Sequence, residues 1–212
     1  MKILRTSSTL LAFCSLSLLC YGGKASDITP VLTKPGKLVI EENFTGSSLD
    51  GSWTVAKGDW QIKDGAVAGK EKKSDNHPAV LQLKHPFQNS VIRFSFKLDG
   101  AKKLSLSLNH EKGHLFRIQF DKDSLVLLKD KDKSDPKSKQ LNLAKANTKF
   151  EPGKWHTVLV EISGAAVSVQ TDGGAKLKAS NPELTVGKTG YRFVVQGESV
   201  LISDLKVWDV QN

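Results

Sequence analysis

Gly153-Lys154-Trp155-His156-Thr157-Val158-Leu159-Val160-Glu161-Ile162 opens the stretch that decides the fold. Val167-Ser168-Val169-Gln170 and the turn Asp172-Gly173-Gly174 come next. The chain then closes with Tyr191-Arg192-Phe193-Val194-Val195 and Val200-Leu201-Ile202-Ser203-Asp204-Leu205-Lys206-Val207-Trp208. Apolar and polar residues alternate in short runs, and Gly or Asp breaks each run. Alternation of period two is the mark of a half-buried strand, and these breaks are turn chemistry. One Trp opens the first strand and another closes the last, and both read as core plugs.

The same grammar extends upstream. Strands are expected over residues 38–44, 53–55, 60–63, 66–69, 79–83, 91–98, 104–109, 115–120 and 124–129. Asp64-Gly65 predicts a hairpin turn, and Asp99-Gly100 a turn between two further strands. Only residues 143–148 hint at a helical period. Some fourteen short strands exceed one small sheet, so two packed antiparallel sheets are expected. Ile92, Phe94, Phe96 and Leu98 share one side of their strand, as do Leu104, Leu106 and Leu108, and Phe116, Ile118 and Phe120. The opposite sides carry Arg93, Ser95, Lys97, Ser105, Ser107, Asn109, Arg117 and Gln119. If the three strands are neighbours, those residues form one continuous polar surface.

The ends and the composition set bounds. Residues 1–25 read as a signal peptide, with Lys2 and Arg5 before a mostly apolar run from Leu10 to Leu19. That run is about half the ~20 residues a membrane span needs. Gly23-Lys24-Ala25 places cleavage after Ala25, while Cys20 raises lipoprotein anchoring as the alternative. The implied location is secreted or periplasmic. Residues 26–37 read as an irregular lead-in and residues 38–212 as one sandwich domain. Both cysteines, Cys14 and Cys20, precede the cleavage point, so a core and not disulfides must stabilise the mature chain. The chain holds 31 Lys+Arg against 22 Asp+Glu, and losing Lys2, Arg5 and Lys24 leaves 28 against 22, a net charge of +6. The basic residues are spread out, and the densest run, residues 129–139, alternates in sign. Nucleic-acid binders instead cluster cations with aromatic platforms, so no nucleic-acid partner is expected. No later segment is apolar enough to span a membrane.

Trp53, then Gly58-Asp59-Trp60-Gln61-Ile62-Lys63-Asp64-Gly65-Ala66-Val67, resembles the entry motif of the 3-keto-disaccharide hydrolase domain family. Gly153-Lys154-Trp155-His156, Gly190-Tyr191 and Ile202 through Trp208 are similar to that family's closing strands. The likeness covers roughly residues 38–210. It implies an all-β, concanavalin A-like jelly roll, related in shape to laminin-G and family 16 glucanase domains. It also implies a carbohydrate partner and action on 3-keto-glycosides as a lyase or hydratase. The sequence departs from the family at Ser105-Leu106-Ser107-Leu108-Asn109-His110, at Asp172-Gly173-Gly174 and at Val195-Gln196. The Glu-x-Asp-x-x-Glu signature of family 16 glucanases is absent, which argues against hydrolysis by paired carboxylates.

A ketone at C3 acidifies the C2 proton, so such chemistry needs a base near neutrality and a cation for the enolate oxygen. His77 and His110 are the candidate bases, and Arg117 the electrostatic partner, with Arg93 as its alternate. Substrate-binding candidates are Trp53 and Trp60 for stacking and Arg93, Ser107, Asn109 and Gln119 for hydroxyl recognition. His110-Glu111-Lys112-Gly113-His114 has zinc-helix spacing but sits in a hairpin. Asp130, Asp132 and Asp135 lack the Gly and closing Glu of a calcium loop. No metal or other cofactor is therefore expected. The readings in play are a 3-keto-glycoside enzyme, a non-catalytic carbohydrate-binding or laminin-G-like adhesion module, and a structural envelope protein.

Overall fold

The computed structural model describes residues 28–210, so the expected signal peptide, its cleavage point and Cys20 lie outside the described residues. Thirteen strands succeed one another: β1 Leu38–Glu42, β2 Trp53–Lys57, β3 Asp59–Lys63, β4 Ala66–Lys70, β5 Ala79–Phe87, β6 Ser90–His110, β7 Gly113–Asp121, β8 Ser124–Lys129, β9 Leu141–Asn147, β10 Trp155–Ser163, β11 Ala166–Thr171, β12 Lys176–Ser180 and β13 Lys188–Asp209. Short 3-10 turns lie at Lys73–Asp75 and Pro182–Thr185. The helical hint at residues 143–148 is overturned. That segment is β9, whose register against β8 runs from Ser124↔Asn147 to Lys129↔Leu141.

Two strands organise the molecule. β6 has 21 residues and β13 has 22, and they pair antiparallel along nearly their whole length. Residues 104–109 and 190–195 belong to a first layer, in the order β2-β5-β13-β6-β7-β8-β9. Residues 90–98 and 200–209 belong to a second, ordered β12-β11-β10-β6-β13-β4-β3, with β1 also beside β13 and in line with β4. The expected turn at Asp99-Gly100 is thus a correction. The chain does not reverse there but bends and crosses between layers. Register shifts cluster between Gln196 and Val200, opposite this point. Gly100 and Gly197 hold φ of 87° and 93°, where a side chain is strained. A Cβ on Gly100 would also meet Glu198 at 3.0 Å.

The core lies between the layers. Phe94 of the second layer meets Phe193 of the first edge-on at 5.3 Å, and Phe96 meets Phe120 at 5.1 Å. The apolar sides of β6 and β7 read from alternation (Ile92 to Leu98, Leu104 to Leu108, Phe116 to Phe120) are all buried there. Burying each such side chain stabilises by roughly 1.5–3 kcal/mol. The tryptophans need correction. Trp155 is 44% exposed, with the Lys97 ammonium 5.2 Å from its ring centre, and Trp208 is only half-buried. Both sit on the outer side of the second layer, because each shares its face with its cross-strand partner, Lys97 or Val91.

Residues 28–37 form no strand but are tied down across that outer side. Glu161 of β10 is completely buried, and its carboxylate accepts hydrogen bonds from the backbone N–H groups of Val31, Leu32 and Thr33 at 2.8–3.1 Å. Gln170 donates to the carbonyl of Thr29, and the N–H of Gly36 to that of Asp209. Among the described residues, no helix is long and apolar enough to cross a membrane.

Candidate site on the outer face of the first layer

Cross-strand partners share a face, so the register builds the polar surface directly. One row runs Gln82, Arg192, Ser107, Arg117, Leu128 through β5, β13, β6, β7 and β8. The next runs Val194, Ser105, Gln119, Val126. Ser107 is only 1% exposed although it faces away from the core. Its cross-strand neighbours explain this: the long Arg192 and Arg117 side chains flank it and cover its hydroxyl, so the accessible part of this polar trough is Arg192, Arg117, Gln119 and His114.

A β-bulge completes the surface. Leu108 pairs with Phe116 but Asn109 pairs with His114, so Leu115 is the extra residue. An added residue flips the side chains beyond it to the opposite face. His114 is thereby brought beside Asn109, with Nδ1 3.3 Å from the Asn109 Oδ1. That oxygen only accepts, so Nδ1 carries the proton and Nε2 keeps its lone pair. Burial pushes the His114 pKa below its ordinary value; Asp130 opposes the shift, while Arg192, Arg117 and Lys133 add to it. The imidazole is consequently neutral at neutral pH.

Asp130 lies just past β8, anchored by its N–H to the Leu115 carbonyl at 2.9 Å. Its side chain is 4% exposed and holds Arg117 in a fork: Nε lies 2.8 Å from Oδ2, and Nη2 bonds Oδ1. Gln140 adds a long contact at 3.4 Å. Arg192 is different. Its Nε is buried and has no hydrogen-bond partner, and the buried Ser107 Oγ has none either.

The structure brings together Ser107, Asn109, Arg117 and Gln119 among the residues singled out from sequence. It does not bring Arg93, Ser95 or Lys97 to them. These lie before the bend of β6, on the outer side of the second layer, so the single continuous polar surface is a correction. Arg93 there pairs with Asp204 at 2.9 Å, and Ser95 meets Thr157 at 3.1 Å. Trp53 is corrected too: it is buried against Phe44 and Phe193 and offers no face to a sugar. Trp60 lies on β3 of the second layer, packed over Gly69, with Nε1 donating to the Lys57 carbonyl. His77 is exposed, with Nδ1 2.8 Å from the Pro78 carbonyl, and sits five residues ahead of Gln82, about 16 Å at strand spacing. His110 lines a cavity at the end of the sandwich with Phe87, Glu111 and Lys188. Sequence reasoning missed His114, Asp130 and Arg192 as members of this surface. Alternation in Tyr191-Arg192-Phe193 pointed to Arg192, but nothing local announced the bulge that moves His114. Among the described residues, no group of three or more His, Asp or Glu side chains is gathered to hold a metal ion.

The profile of the 3-keto-alpha-glucoside-1,2-lyase-like domain matches residues 40–199. The chain belongs to that family. The matched span, from β1 to the bend of β13, carries every residue of the trough. No curated protein matches the sequence. Among solved structures, the chain is similar to the carbohydrate-binding module CBM66 from Bacillus subtilis, with a TM-score of 0.61 at 11% identity over 74% of this chain and 96% of that one. SCLam, a non-specific endo-β-1,3(4)-glucanase of family GH16, gives 0.61 at 11% identity over 84% and 97%. An endo-β-galactosidase from Clostridium perfringens that releases GlcNAcα1-4Gal gives 0.63 at 12% identity over 86% and 65%. At such identities the likeness is one of fold, and it establishes the jelly roll of carbohydrate-active and carbohydrate-binding domains. It carries no residue roles across.

Proposed function

We propose that the trough on the first layer binds a glycoside and acts on 3-keto-glycosides by elimination. The observation that carries this reading is His114: half-buried, neutral, fixed by Asn109, and set beside two guanidinium groups. In the proposed step, Nε2 takes the C2 proton. The C2–H electron pair moves toward the C3 ketone, whose oxygen becomes an enolate. Arg117, already oriented by Asp130 through Nε and Nη2, has its remaining N–H groups for that oxygen. The enolate then re-forms the ketone as the C1–O bond breaks and a C1=C2 double bond appears, and the proton on His114 passes to the leaving oxygen. Asn109 and Gln119 read the hydroxyls, while the covered Ser107 lies beneath them. The basic start and apolar run of residues 1–25 support export, which would place this activity outside the cytoplasm.

Incubation with a 3-keto-glucoside should release the aglycone and produce an enone absorbing in the ultraviolet. His114→Gln should lower turnover by about 10²–10⁴-fold, the usual contribution of a general base, without moving the melting temperature. Turnover should persist as pH falls below the ordinary histidine range, because His114 protonates only at lower pH. Unchanged turnover in His114→Gln would remove the residue from the scheme. Saccharide binding without turnover would favour a non-catalytic binding module.

A further inference from the structure

We propose that Arg192 is the receptor for a carboxylate on the saccharide, so that the ligand of this face is an acidic sugar of the uronate class. This rests on the trough being the saccharide site. The described residues contain three arginines. Arg93 holds the carboxylate of Asp204 and Arg117 that of Asp130. Arg192 alone has no acidic partner among the described residues, although its Nε is sealed from solvent. Arg192 as a whole is half-buried, and withdrawing part of a guanidinium from water without a counter-charge is costly; burial pushes its pKa below the ordinary value.

The surroundings repeat the sign. The Arg117–Asp130 pair is neutral as a unit and His114 is neutral, so Arg192 leaves the trough one positive charge in excess. Lys133 is near enough to act on His114 in the same direction. A carboxylate matches the planar fork of a guanidinium in a way a lone hydroxyl does not. Gln82, a cross-strand neighbour of Arg192, supplies an amide for the rest of the ring.

The test is titration calorimetry of the mature protein with maltotetraose, its C6-carboxylated counterpart and its C6-sulfated counterpart. The carboxylated form should bind at least about tenfold more tightly than the neutral one, a difference of about 1.4 kcal/mol. Added salt should reduce that preference. Arg192→Met should abolish it with the melting temperature unchanged or higher, since removing an unpaired, partly buried charge relieves strain. Arg192→Lys should retain part of it. Equal affinity for neutral and carboxylated forms, preference for the sulfated form, or a preference that survives Arg192→Met would each overturn the inference and leave the saccharide site standing. Failure of all three to bind, with Asn109→Ala also without effect on any 3-keto-glucoside, would overturn both readings. A loss of melting temperature in Arg192→Met would make the residue structural and overturn this one.

Discussion

The two outer faces of the sandwich are made from the same two strands and behave differently. On the second layer, Arg93 is paired with Asp204, Lys206 with Glu41 at 2.8 Å, and buried Glu161 with three N–H groups of the lead-in. On the first layer, Arg192 and Ser107 are buried at atoms that have no partner, and a bulge delivers a neutral His114 to the same face. Buried polar groups in folded proteins are almost always satisfied, so exceptions need a reason. The second layer has such atoms too, in Ser168 Oγ and Thr33 Oγ1, but its charged groups are all partnered in the cases named above; on the first layer a guanidinium is left without an acidic partner.

The contrast can be broken at several points. Glu161→Ala should have the largest effect. Three backbone donors lose their acceptor, and stability should fall by about 3 kcal/mol in urea unfolding. Saccharide affinity of the folded protein should not change, and a large loss of affinity would mean the two faces are coupled. Asp130→Asn should cost about 2 kcal/mol, less than a fully buried pair because Arg117 is partly exposed. Unlike the first variant, it should also weaken saccharide binding by about tenfold, because Arg117 loses its orientation.

A third measurement concerns a buried cation at the end of the sandwich. Lys188 donates to the carbonyls of Gln88 at 2.7 Å and Leu184, and burial lowers its pKa to about 8. The unfolded chain binds this proton up to a higher pH than the folded one. Stability should therefore rise between pH 8 and 10, with a melting temperature gain of about 5 °C that Lys188→Met removes. Above pH 10 buried Tyr191 acts in reverse, since its raised pKa keeps a proton that the unfolded state has lost. A melting temperature flat across pH 8 to 10 would contradict this account of Lys188. Arg93→Met should do least: under about 1 kcal/mol, with no change in any saccharide titration.

Much of this was legible in the chain. The alternation in Ile92-Arg93-Phe94-Ser95-Phe96 and in Leu104-Ser105-Leu106-Ser107-Leu108 marked the buried and polar sides correctly, and the Trp60 and Asp-Gly motifs pointed to the family. Ser107, Asn109, Arg117 and Gln119 were found because hairpin neighbours are adjacent in sequence and their parity survives folding. Arg93 was misplaced because parity says which side of a strand a residue occupies and not which layer that strand has reached. Trp53 was misread because a Trp at a strand end has the same local pattern whether it plugs a core or meets a ligand. His114 was hidden by one extra residue whose presence depends on the partner strand.

Sequence alone therefore determined the set of local choices: strand, turn, and which side of each strand avoids water. These come from the pleat and the transfer of apolar groups, both of which act within a few residues. Tertiary structure decided which polar sides meet. That depends on where β6 and β13 bend at Gly100 and Gly197, and on the slip in register at Leu115, and both are settled by pairing between segments far apart in the chain.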